Sequence, residues 1–147
     1  MSNVKPFVTL ACICEKALQE KDDVLSIIRM VDVFYLRQID GMPSGVATGI
    51  EFTVAVSLKS GQIKGTFKVG IVVRLPSGQV NELMEPQPVL LKGDEHGTNV
   101  VVRVILEAKE YGLYWFDVLW EGEVLTSIPL RLKVKADDAT QEQLNLS

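Results

Sequence analysis

The sequence predicts an all-β, antiparallel domain of about seven to nine strands packed as two sheets. Two observations carry this expectation. From Ile50 to Lys135 apolar and polar residues alternate almost without interruption, and successive strand side chains face opposite ways. The alternating runs are also separated by clusters of turn-forming residues such as Pro76-Ser77-Gly78-Gln79.

Phe7–Cys14 reads as a first strand, and Glu20-Lys21-Asp22-Asp23 as a polar break with a hairpin tip at Lys21-Asp22. A helical turn over Ala17-Leu18-Gln19-Glu20 is the alternative. Val24–Arg37 is one long apolar run whose Val31, Val33 and Tyr35 share a face. Asp40–Gly45 is a loop, Ile50–Lys59 a strand and Ser60-Gly61-Gln62 a turn. Lys64–Leu75 follows, with Phe67, Val69, Ile71 and Val73 inward, and then the turn at Pro76. Pro86 and Pro88 argue against a central strand over Glu82–Pro88. Val89–Leu91 reads as a short edge strand and Lys92–Thr98 as a polar loop. Asn99–Glu107 alternates again, with Val100, Val102, Val104 and Leu106 inward. Gly112–Trp120 and Glu123–Lys135 form a hairpin through Glu121-Gly122. Residues 1–135 make one domain, and 136–147 are a polar tail whose Leu144 and Leu146 offer anchors for docking.

A chain of 147 residues suffices for a sizeable core, and an apolar fraction of 47% argues against wholesale disorder. No apolar run approaches the roughly 20 residues of a membrane-spanning helix. The net charge of −4 is uneven. Residues 1–74 carry 9 Lys and Arg against 7 Asp and Glu; residues 75–147 carry 6 against 12. There is no basic block, which disfavours nucleic acid as a partner. Cys12 and Cys14 are two apart and would share a face of a strand, so a bridge between them would staple nothing distant. A reducing, cytoplasmic compartment is therefore expected. Leu10-Ala11-Cys12 has the look of a lipoprotein processing site, but the apolar stretch before it is too short and makes a better first strand.

The segment from Leu106 through Gly112, Tyr114, Phe116 and Val118 resembles the tyrosine-corner strand of immunoglobulin-like sandwiches, in which a glycine precedes the strand and a tyrosine begins its buried face. That resemblance covers about 30 residues and implies a Greek-key sandwich topology, not antibody-type function. Taken whole, the chain resembles a set of small, uncharacterised bacterial proteins. Their shared pattern is an N-terminal hairpin, then a strand like Gly112–Val118, then a segment like Glu121–Leu132. No activity comes with this likeness.

Residues suited to chemistry are few. His96 is the sole histidine, in a loop by composition, with no evident nucleophile beside it. Cys12, Cys14 and His96 are metal-ligand types but lack a fourth donor. The acidic pairs Asp22-Asp23, Asp94-Glu95 and Asp137-Asp138 fall at turns or in the tail, where catalytic carboxylates do not converge. No cofactor, metal or enzymatic activity is expected.

Apolar excess is the stronger signal. If Tyr114, Phe116, Val118 and Trp120 face inward, Leu113, Trp115 and Leu119 face outward, with Val101 and Ile105 outward from a strand expected beside it. Contiguous outward apolar groups mark interfaces. The expected function is a non-catalytic interaction or assembly module of bacterial or phage origin that pairs with itself. The alternative is a small-ligand binder using end loops at Asp40, Ser77, Asp94, Glu95 and His96.

Overall fold

The structure is a computed structural model, and it describes residues 4–22, 24–36 and 48–134. Asp40, Leu144, Leu146 and the polar tail lie outside the described residues. The strands are β1 (Phe7–Gln19), β2 (Leu25–Met30), β3 (Val33–Leu36), β4 (Thr48–Arg74), β5 (Val80–Ala108), β6 (Gly112–Trp120) and β7 (Glu123–Val134). They form one seven-stranded sheet in the order β2-β1-β4-β6-β7-β3, with β5 paired to β4. Among the described residues there is no helix, and hence none long and apolar enough to cross a membrane.

The hairpin tip at Lys21-Asp22 forms as expected, closed by the Glu20 N–H donating to the Val24 carbonyl at 2.8 Å. The turn at Pro76 also forms, with Gly78 at φ 97° and its N–H donating to the Leu75 carbonyl at 2.8 Å. In the β6–β7 hairpin, Glu121 and Gly122 both take positive φ.

One expectation needs correction: the sheet is mixed, because β3 runs parallel to β7. The apolar run Val24–Arg37 does not stay one strand. Arg29 takes a left-handed φ of 56°, and the chain leaves β2 and crosses to the opposite edge of the sheet. Two backbone bonds hold the crossing: Val31 N–H to the Ile13 carbonyl at 2.8 Å and Arg131 N–H to the Asp32 carbonyl at 3.0 Å.

A second correction concerns Ser60-Gly61-Gln62 and Lys92–Thr98. Neither reverses the chain. They lie opposite one another inside the long β4–β5 ladder, where Gly61 pairs with Asp94 and the register shifts on both sides. Gly61, Gly93 and Asp94 all have positive φ, so these residues make a bulge in a continuous ribbon. Pro86 and Pro88 likewise sit within a strand, but β5 is an edge strand, where a missing N–H forfeits no ladder bond.

The bulge divides β4 by its neighbours. Its first half lies between β1 and β5, and its second half between β6 and β5. Phe52 from the first half meets Phe116 of β6 edge to face, with centroids 5.5 Å apart. Those residues are not ladder neighbours, so the contact is made through the core. Tyr114, Phe116, Val118 and Trp120 are all buried in that core, as their spacing predicts. The alternating residues of β1 and β4 face the other way: Cys12, Cys14 and Ala55 form a smaller cluster with Leu10, Ala17, Leu25 and Ile27. The end of the β1–β2 hairpin thus covers the far side of its own sheet.

Candidate functional site

Three surface regions carry the residues singled out above. The first is the free edge of β5. Along all its paired length β5 bonds only to β4, so among the described residues its other side has no strand beside it. The stretch Val100–Ala108 alternates strictly. Val104, Leu106 and Ala108 are buried, while Val101 and Ile105 are 37% and 67% exposed. Arg103 lies between them and reaches back to Glu51 of β4, with Nη2 and Oε2 3.4 Å apart.

The second region is the outer face of β6. Leu113, Trp115 and Leu119 face away from the core, as expected, but each is half-buried. Between them lies Asp117, which is buried and fully engaged. Arg74 donates from Nε to Oδ2 at 2.7 Å and from Nη2 to Oδ1 at 3.1 Å, and the Ser127 hydroxyl donates to Oδ1 at 2.6 Å. The Arg74 guanidinium also lies 5.7 Å above the Trp115 ring. Burial by itself would raise the Asp117 pKa. The bonds from Arg74 and Ser127 outweigh it and hold the carboxyl below the usual range. A carboxylate with both oxygens committed fastens β4, β6 and β7 together and is not presented as a base.

The third region is the groove beneath the β1–β2 hairpin. It measures about 610 Å³, and its walls include Thr9, Gln19, Asp22, Ser57, His96 and Asn99. His96 is fixed at both ends. Its Nδ1 accepts from the Lys92 N–H at 3.1 Å, and its carbonyl accepts from the buried Ser60 hydroxyl at 2.6 Å. With Nδ1 accepting, the neutral ring carries its proton on Nε2. Cys12 and Cys14 are buried nearby as free thiols, and Cys14 Sγ donates to the Thr53 carbonyl at 3.7 Å. Burial, reinforced by Cys14, pushes the Cys12 thiol up to about 11; burial also raises Cys14. Neither is a ready nucleophile.

The structure separates residues that the sequence grouped. Val101 and Ile105 point outward, but their part of β5 flanks the first half of β4, whereas β6 flanks the second half. They therefore do not share one patch with Leu113, Trp115 and Leu119. Ser77 is exposed at the Pro76 turn, and Asp94 and Glu95 are exposed at the bulge. Of the ligand candidates Ser77, Asp94, Glu95 and His96, only His96 lines the groove. Among the described residues no three His, Cys, Asp or Glu side chains gather as a metal site. Sequence reasoning missed the Arg74–Asp117–Ser127 cluster. The available signal was an acidic residue on the outward face of an otherwise apolar strand, which needs a cationic partner across the ladder.

No family model matches the chain, and no curated protein matches it. Among solved structures it is similar to an immunoglobulin-like protein from Pseudomonas aeruginosa, at 13% identity and a TM-score of 0.43, covering 90% of this chain and 100% of that one. It is also similar to an alkylpurine DNA glycosylase from Pseudomonas fluorescens, bound to DNA containing an abasic site analogue, at 14% identity and a TM-score of 0.43. That match covers 57% of this chain, which spans about a quarter (26%) of the glycosylase chain.

Proposed function

We propose that this chain is a non-catalytic protein-interaction module that associates with copies of itself, as a subunit of a bacterial or phage assembly. The observation that carries this reading is the edge of β5, unaccompanied among the described residues, with Val101 and Ile105 exposed along it. An open strand edge that offers backbone donors and acceptors beside apolar side chains is a template for pairing with another chain. We read the sheet as folded into two layers of immunoglobulin-like type. The Phe52–Phe116 contact supports the layering, and the Tyr114 hydroxyl donating to the Glu110 carbonyl at 2.7 Å supports the tyrosine corner. The two free buried thiols fit a reducing compartment, the cytoplasm.

Light scattering across a range of concentrations tests the reading. A defined oligomer is expected; a monomer at every concentration overturns it. The groove beneath the β1–β2 hairpin favours a second reading, a binder of a small polar ligand. There, titration with small polar compounds should shift the NMR signals of His96 and leave those of Ser77 unmoved.

A further inference from the structure

We infer that the partner taken up by the β5 edge is a second copy of the same edge, paired antiparallel about a two-fold axis through Ile105. This rests on the self-association proposed above and names its surface and register. The two halves of β5 differ as edges. The first carries Pro86 and Pro88, and proline on an edge blocks the approach of another strand. Val100–Ala108 has no proline, and Ile105, at 67%, is the most exposed large apolar side chain among the described residues.

The charges select the register. Side chains directly opposite across an antiparallel pair share a face and interact. With the axis at Ile105, that residue meets its own copy, and Arg103 of each chain lies opposite Glu107 of the other. Both charge pairs are then complementary, and the apolar contact is at the centre. An axis at Arg103 would set two guanidinium groups against each other. An axis at Val104 would set Arg103 against Ile105 and Glu107 against Val101. Of these three registers, that at Ile105 alone sets each Arg103 opposite a Glu107 with an apolar pair at the axis, as a self-complementary interface requires, and it leaves Val101 opposite Lys109 at the rim. Val104, Leu106 and Ala108, on the inward face, would continue the core of one copy toward that of the next.

The test compares solution mass for the full chain and three variants, with circular dichroism to verify the fold. Wild type is expected to dimerise. Ile105→Lys should be monomeric, because two ammonium groups would meet at the axis. Arg103→Glu should raise the dissociation constant about tenfold, since two attractive cross-strand pairs become repulsive. Arg103→Glu combined with Glu107→Arg should restore association. The swap rebuilds the contact between chains; Glu51 lies opposite Ile105 and is diagonal to both position 103 and position 107, so the urea midpoint of each variant is read beside its mass to separate fold from interface. A wild-type monomer would overturn both the self-association reading and this register. A wild-type oligomer indifferent to Ile105→Lys and Arg103→Glu would leave self-association standing and overturn the β5 edge as its site.

Discussion

Asp117 shows how one side chain decides the character of a surface. It stands on the outward face of β6, yet it is buried, and two residues from neighbouring strands hold it ionised. Because its folded pKa is depressed, the unfolded chain takes up the proton first as pH falls. The stability Asp117 contributes is therefore present above the ordinary carboxylate pKa and lost as pH drops through the folded value. Asp117→Asn should lower stability at neutral pH by about 1–3 kcal/mol, by leaving Arg74 unmatched. It should also flatten the acid limb of the stability curve; urea midpoints at pH 7 and pH 3 provide both readings. Cys12 behaves in the opposite sense. Its folded pKa is raised to about 11, so its contribution is complete below the ordinary thiol value and lost as pH rises toward 11. Cys12→Ala should lose less stability than wild type between about pH 9 and 11. In the native protein a thiol reagent at pH 8 should react far more slowly than after denaturation. Trp115 stands outside the core and under Arg74, so Trp115→Ala should cost only about 0.5–1 kcal/mol. A far larger drop in the urea midpoint would show that the ring is core after all.

At the scale of elements, what the sequence disclosed depended on the kind of signal. Hairpin tips at Lys21-Asp22, Pro76 and Glu121-Gly122 were legible because each sits between two alternating runs and reverses the chain. The inward face of β6 was legible from its period-two spacing, whereas the bond from the Tyr114 hydroxyl to the Glu110 carbonyl is a finding of the structure. Tyr114→Phe should cost about 1 kcal/mol, the usual net worth of such a bond, measurable as a lower thermal midpoint. The β4–β5 bulge was not legible. Glycine and polar clusters announce a departure from regular extended backbone, but the same residues serve a reversal and a bulge. Only pairing across the ladder distinguishes them, and pairing is not a local property. Gly97 marks the closeness of that pairing: a Cβ there would run into the Leu58 carbonyl oxygen of the facing strand. Gly97→Ala should therefore destabilise by about 1–3 kcal/mol, and hydrogen exchange should quicken around Leu58 and Lys59.

At the scale of the whole molecule, the sequence indicated an all-β chain but not its connections. The parallel β3–β7 pair joins positions 98 apart in sequence, and nothing near Val33 forecasts Arg131. The candidate surfaces show the same limit. Outwardness was correctly assigned to Val101, Ile105, Leu113, Trp115 and Leu119 residue by residue, while their grouping depended on which half of β4 each strand flanks.

That long-range closure has a consequence during synthesis. When β3 leaves the ribosome its ladder partner has not been made. At about 5–20 residues per second, the wait for Arg131 is on the order of 5–20 s. Throughout that interval Val31, Phe34 and Leu36, which later pack on the core, have no β7 to lie against. The nascent chain thus carries an unfinished apolar segment until β7 has been made. In this protein the vulnerable period belongs to the order of manufacture, and chaperone capture of stalled chains should fall sharply once β7 has emerged from the ribosome.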